Sequence, residues 1–376
     1  MKFYIIAGET SGDAHAAVLM REMLALRREL RFAGAGGPRM NAITGGRLFE
    51  WTHEAVVGLW DVLLKYPYFR TQFYRMYREI MALQPDAVIF VDYPGFNLRL
   101  ARYLKRHGYR GRLVFYISPQ VWAWNRGRIP RMAAYLDLML CIFPFEPALY
   151  RQSGLKSEFV GHPMIHELAR QRRNVERDPS LVGLFPGSRA REVKRIFPVM
   201  LAAARALQAT RPHLRFEASA VNESLHGYMR RLAAAAGFPA MEITVKDAPA
   251  LMQRAWVGMV ASGTATMEAS FFQMPFVLIY KVSWLTYAAG RALIRVDYLG
   301  MPNILAGRPL IPEFIQQDAE PRRIAEALEK LAEDDGARQR MIHGMAGVIQ
   351  SLGEEEAGQR AAKALLNHLE SSLARV

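Results

Sequence analysis

An apolar run that ends in a tight turn and then a helix can hold an anion, and residues 182–189 have that form. Val182-Gly183-Leu184-Phe185 reads as a buried strand, Pro186-Gly187 as the turn, and Ser188 as the cap of a helix from Ala190 to Leu207. The free N–H groups of such a helix, with the positive end of its dipole, face whatever lies beyond the strand. A phosphate belongs there, and Arg189 adds a forked, permanently charged donor. A second turn, Ala261-Ser262-Gly263-Thr264-Ala265-Thr266-Met267-Glu268, follows another short strand. Its small residues permit close approach, and Ser262 or Thr264 can hydrogen-bond a phosphate. Glu268 lies one helical turn beyond Thr264 and on the same face, where a carboxylate can accept bonds from ribose hydroxyls. As a purely structural residue it would be an exposed helix glutamate. Together the two turns describe a nucleoside-diphosphate site built from one half of the chain.

The acidic residues fall in the other half. Strand Phe3–Ala7 leads into Gly8-Glu9-Thr10-Ser11-Gly12-Asp13 and a helix through Arg28. This is neither G-x-G-x-x-G nor a Walker loop, and Glu9 with Asp13 would repel a pyrophosphate. A hydroxyl-rich sugar suits the pair better. In structural terms Ser11 caps the helix and Asp13 complements its dipole; Asp13 takes that reading, while Glu9 fits either. Asp92-Tyr93-Pro94-Gly95-Phe96-Asn97 follows the strand Val88–Val91. Ligands of open α/β sheets bind beyond the carboxyl ends of strands, so Asp92 should point into a cleft as a general base. The alternative is an aspartate that bonds the turn it opens. Ser118-Pro119-Gln120-Val121-Trp122-Ala123-Trp124 comes next, followed by Arg126, Arg128 and Arg131, a phosphate-facing cluster behind two packing tryptophans. D-x-D, H-E-x-x-H and G-x-S-x-G are all missing, so neither a metal nor a cofactor is expected. His162 reads as a hydrogen-bonded structural residue.

The elements that must position these groups are short apolar runs alternating with helical patterns: Phe3–Ala7, Ala87–Val91, Leu113–Ile117, Leu138–Ile142, Val182–Phe185, Leu214–Ala218, Val257–Ala261 and Phe276–Ile279. Such alternation predicts α/β structure with doubly wound parallel sheets. The expected division is residues 1–165, then 166–350 with Arg170–Pro179 as the linker, then 351–376, whose helix over Glu354–Leu369 packs back on the first part. At 376 residues the chain supports two cores. Its 51% hydrophobic and 22% charged content describes a globular protein. A net charge of +14 and a pI near 10.0 favour anionic partners. One cysteine, Cys141, rules out an internal disulfide and fits a reducing compartment. No signal-like or bilayer-length apolar run is visible, so the expected location is the cytoplasm, with contact to a membrane surface.

Residues 56–81 mix Trp60, Phe69 and Phe73 and other large apolar residues with Lys65, Arg70, Arg75 and Arg78. Aromatic and basic residues interleaved on a helix fit a lipid interface. The alternative is a helix packed on the sheet. Pro67, as a breaker of a simple core helix, favours lipid.

Read together, these segments resemble the lipid-A-disaccharide synthases, inverting glycosyltransferases with the GT-B fold of two Rossmann-like domains facing across a cleft. The matching residues are Ala7–Asp13, Gly36-Gly37-Pro38-Arg39-Met40, Ser118–Trp124, Phe143-Pro144-Phe145-Glu146, Phe159–His162, Pro186–Arg189 with Glu192, Ala261–Glu268 and Met301–Gly307. The resemblance implies an enzyme on the cytoplasmic face of the inner membrane. It would join UDP-diacylglucosamine to diacylglucosamine 1-phosphate and release UDP. It places Gly187, Ser188, Arg189, Glu192, Ser262, Gly263, Thr264, Ala265, Glu268 and Asn303 around UDP. Trp60, Phe69, Phe73, Arg70 and Arg126 fall on the acceptor and lipid side. Asp92 is the expected base, with Glu9 second, because the family's second aspartate at this turn is replaced by Gly95. A homodimer is compatible with this reading. A UDP-sugar epimerase shares the two-domain outline, and a nucleic-acid-binding protein would also explain the basic pI. The aromatic residues, however, sit in an apolar helical patch rather than on a basic strand platform, so no nucleic acid is expected.

Overall fold

The computed structural model describes residues 1–52, 66–293, 296–353 and 355–373. It divides into two compact units: Met1–His166 together with Leu352–Val376, and Glu167–Ser351.

The first unit contains β1 (Lys2–Ala7), β2 (Arg31–Gly36), β3 (Phe49–Glu50), β4 (Ala87–Val91), β5 (Arg112–Tyr116), β6 (Leu138–Cys141) and β7 (Ser157–Phe159). These pair in parallel in the order β3-β2-β1-β4-β5-β6-β7. The second unit contains β8 (Asp178–Phe185), β9 (Arg215–Ala220), β10 (Glu242–Val245), β11 (Ala255–Ala261), β12 (Phe276–Tyr280) and β13 (Glu313–Ile315). Their order is β10-β9-β8-β11-β12-β13, again parallel. The expected α/β class with two doubly wound sheets is therefore what the chain forms. All eight apolar runs become strands, and every residue of β4 and of Phe3–Ala7 is buried. Strands covered on both faces carry continuous apolar sequence rather than alternation.

Each sheet reverses its winding once, between β1 and β4 and between β8 and β11. Parallel sheets leave a crevice at the carboxyl ends of strands where the order reverses. The two predicted acidic loops leave β1 and β4, and the two predicted phosphate turns leave β8 and β11.

Three local expectations are corrected. Arg170–Pro179 is not a free linker: Arg177 is half-buried and donates to the carbonyls of Met252, Ala255 and Phe272, while Arg173 N–H donates to Gln253 Oε1 at 2.6 Å. These bonds satisfy carbonyls at the ends of two helices and at the start of β11, so the stretch is part of the second unit. Pro67 does not break a helix; it is the second residue of Tyr66–Leu83, where a missing N–H costs nothing. The last helix runs over Ala357–Leu373. It closes on the Thr10–Leu26 helix so tightly that a Cβ on Gly358 would stand 2.5 Å from Val18 Cγ1.

Candidate active site

In the first unit the loops after β1 and β4 touch. A Cβ on Gly8 would lie 2.4 Å from the Tyr93 ring, so only glycine lets that ring cover the end of β1. Asp92 and Tyr93 both adopt left-handed backbone, with φ of +50° and +48°. Consecutive non-glycine residues in that region are strained and persist where surrounding structure holds them. Here Asp92 N–H donates to Tyr116 O at 2.9 Å. The fully buried Asn97 donates its amide to Asp92 O at 2.7 Å. Desolvation raises the Asp92 carboxyl above the usual carboxylate range, against a backbone bond at Tyr93 that pulls it down. Burial, and then the neighbouring Glu9, also raise the Tyr93 phenol. Glu9 is half-buried and is the residue that precedes the Thr10–Leu26 helix.

Ser11 is therefore not the cap; it is exposed inside the helix. Asp13 is structural in a way its spacing did not reveal. It is 1% exposed and accepts from the N–H groups of Gly37, Arg39 and Met40 at 2.9–3.0 Å. It thus caps the neighbouring helix Pro38–Thr44.

Beyond β5, Glu146 is fully buried and binds three donors: Ser118 Oγ, Trp122 Nε1 at 2.9 Å and Phe143 N–H at 3.1 Å. Burial pushes its pKa up to about 7, although the hydrogen bonds pull the other way. Glu146 stands in one of the motifs of the resemblance but is assigned no role by it; an acid among aromatic residues just after a buried strand was the available signal. It pins the Ser118–Trp124 loop. Trp122 is buried accordingly, whereas Trp124 is 47% exposed and lies under Arg128 at 4.9 Å. Arg126 is exposed and donates to Trp122 O at 3.0 Å. His162 is structural: Nδ1 accepts from Met164 N–H at 3.2 Å, and burial, then His15, lower its pKa to about 4.

Phe69 and Phe73 belong to a helix packed on the first unit, the alternative offered for them. Each packs against the core of the first unit, and each also lines an open groove that Arg70 enters. Trp60 lies outside the described residues.

In the second unit the β8 and β11 turns abut. Gly187 has φ +106°, and a Cβ there would be 2.8 Å from Glu192 Oε2 and 3.6 Å from Ala261 Cβ. Arg189, not Ser188, holds the N-cap position of the helix Ala190–Thr210. Arg189 has no side-chain acceptor to cap with; instead Glu192 reaches back and accepts from Arg189 N–H at 3.3 Å and from its Nη1 at 3.2 Å, which leaves Ser188 one residue outside the N-cap position. The Arg189 side chain is 68% exposed, so this pair contributes little stability and can exchange for an anion. Gly263, at φ +148° with open space before it, starts the helix Thr264–Phe271. Ser262, Thr264 and Ala265 are exposed or half-buried at that end. Glu268 is half-buried, and desolvation followed by Glu167 raises its pKa. Asn303 requires correction. It is 1% exposed, with its amide donating to Ile311 O and Glu313 Oε1 and accepting from Ile311 N–H. Its donors are consumed inside the fold, where Glu313 also binds Leu299 and Gly300 N–H.

A profile of the lipid-A-disaccharide synthetases matches residues 3–367. The lipid-A-disaccharide synthase of Geobacter sulfurreducens is 38% identical, over 98% of this chain and 97% of its own. That of Myxococcus xanthus is 36% identical over the same shares. The chain belongs to the lipid-A-disaccharide synthetase family. It is a glycosyltransferase that takes a UDP-sugar donor and forms the lipid A disaccharide. Among solved structures, CalG4, the calicheamicin glycosyltransferase, aligns with a TM-score of 0.58 at 14% identity, over 99% of this chain and 98% of that one. A UDP-GlcNAc 2-epimerase from Neisseria meningitidis, solved with UDP-GlcNAc, aligns at 0.59 and 11%, over 99% and 100%. At these identities the likeness is one of fold, GT-B. The full-length relatives separate the transferase from the epimerase reading.

Proposed function

We propose that the second unit of this glycosyltransferase holds the UDP of UDP-diacylglucosamine, and that the first presents diacylglucosamine 1-phosphate with Asp92 as general base. Asp92 takes the proton of the acceptor's primary hydroxyl. The freed oxygen attacks the anomeric carbon of the donor from the face opposite UDP, the anomeric C–O bond breaks, and UDP leaves with the bonding pair. The configuration inverts. One observation carries the assignment: Asp92 is held in a strained turn at the β1–β4 reversal with its carboxyl desolvated. A carboxylate with a raised pKa is the stronger base. Glu9, across the same crevice, orients the sugar hydroxyls.

In the second unit, Arg189 and the first N–H groups of Ala190–Thr210 neutralise the departing diphosphate, aided by Ser262 and Thr264. Glu268 binds ribose. The epimerase neighbour, solved with a UDP-sugar, supports a UDP-sugar site on this fold. Phe69, Arg70 and Phe73 belong to the lipid side. Among the described residues no helix is long and apolar enough to cross a membrane. The excess of basic residues supports a peripheral seat on the anionic cytoplasmic face of the inner membrane.

Asp92→Asn tests the base. Turnover measured by mass detection of the disaccharide should fall ~10²–10⁴-fold with UDP affinity unchanged. Near-normal turnover would refute the assignment.

A further inference from the structure

Helix Pro94–Arg106 begins at the Asp92 turn and carries Arg99, Arg102 and Arg106 at spacings of three and four residues, along one stripe. All three are exposed, and among the described residues none has an ion-pair partner. The helix itself contains no acid. The facing helix Tyr66–Leu83 contains one, Glu79, which already binds Arg75 and Tyr4. Like charges stacked along a helix repel one another, so the stripe is complementary to an anion from outside the protein. Between the two helices lies a groove of about 590 Å³, with Phe69, Phe73 and Tyr103 among its walls and the three arginines and Arg70 among its lining. Tyr93 and Gly95 also line it, and a Cβ on Gly95 would meet nothing within 4 Å. The groove is therefore open at the catalytic turn. From Gly95 to Arg106 the helix rises about 16 Å.

We propose that this groove is the acceptor subsite: Arg99, Arg102 and Arg106 bind the phosphate of the acylated sugar phosphate, and the aromatic walls receive acyl chain. Acyl chain alone would need no guanidinium stripe, and a free phosphate would need no aromatic trough. The donor's phosphates have their own place at the β8 and β11 turns, which leaves the acceptor's phosphate as the charge this stripe fits. The inference rests on the reading that the first unit presents the acceptor. It adds the residues that distinguish a phosphorylated acceptor from a neutral one.

The test is the triple substitution Arg99→Gln, Arg102→Gln and Arg106→Gln, assayed in micelles of neutral detergent so that no anionic headgroup contributes. With the donor saturating, KM for diacylglucosamine 1-phosphate should rise at least roughly tenfold, while KM for the UDP-sugar stays the same. Wild-type enzyme should prefer the 1-phosphate acceptor over the same sugar without phosphate, and the variant should lose that preference. Unchanged turnover of the phosphate-free acceptor shows that the first unit, which carries the three substitutions, is folded. An unchanged acceptor KM and preference would overturn the proposal. Loss of binding to phosphatidylglycerol vesicles with acceptor kinetics intact would also overturn it, by assigning the stripe to membrane headgroups. Failure of the Asp92→Asn test would instead strike the general-base reading, and the two results are read separately.

Discussion

Replacing Glu146 with glutamine removes a titrating group from the centre of the first unit and leaves its shape nearly unchanged. In the folded protein burial raises this carboxyl from 4.5 to about 7. Between those values the folded state keeps a proton that the unfolded chain has released. The contribution is therefore fully present below pH 4.5 and is lost as the pH climbs to about 7. Each pKa unit corresponds to ~1.4 kcal/mol, which makes the loss about 3 kcal/mol across that window. Glutamine does not titrate. Its carbonyl can keep the Phe143 N–H and Ser118 bonds, but its amide then faces the Trp122 N–H, a donor against a donor, at a cost of ~1–3 kcal/mol at every pH. Urea unfolding of both proteins from pH 4.5 to 8, followed by circular dichroism and tryptophan fluorescence, gives the difference directly, because all other titrations cancel. Wild type should be the more stable protein at the acid end, and the difference should move by about 3 kcal/mol towards glutamine by pH 8. Parallel curves, or movement the other way, would refute the reasoning.

Asp13→Ala leaves three backbone N–H groups without their acceptor and should cost ~3–5 kcal/mol in urea unfolding, whereas Ser11→Ala on the exposed side should stay within ~0.5 kcal/mol. Gly8→Ala drives a methyl into the Tyr93 ring and should lower turnover roughly 10²-fold by displacing the Asp92 turn; UDP affinity, measured by calorimetry, should not change. Arg189→Ala should weaken UDP binding at least roughly tenfold, since a charge-assisted bond is worth ~1.5–3 kcal/mol. Asn303→Ala should lower stability by about 2–4 kcal/mol while the folded protein binds UDP normally.

The central strands were legible because burial on both faces imposes continuous apolar sequence, as in Phe3–Ala7 and Ala87–Val91. The strands that escaped notice lie at or near sheet edges. β2 reads Arg-Phe-Ala-Gly-Ala-Gly, and β3, β7, β10 and β13 are two to four residues long and carry charge. Their pairing comes from neighbours already in place, which local composition does not record. The turns at Gly187 and Gly263 were visible through their glycines, but the capping atom was not. Arg189 rather than Ser188 holds that position because Glu192 reaches back to its N–H. Long-range bonds were invisible for the same reason: Asp13 serves a helix 24 residues away, and Asn303 is tied to a strand still to come. The arginine stripe was written in the spacing of residues 99, 102 and 106, yet only the groove beside it gives that spacing a meaning.

The return of the last helix to the first unit sets an order of events during synthesis. The segment Glu167–Ser351 has left the ribosome in full before Ala357–Leu373 emerges. The first unit, although begun earlier, waits with the Thr10–Leu26 helix uncovered around Val18. The last helix, buried along Ala361, Ala362, Leu365, Leu366 and Leu369, then packs against it, with Gly358 seated at Val18. The half proposed to carry the base and the lipid groove is thus the later of the two units to mature, although its first strand is made first.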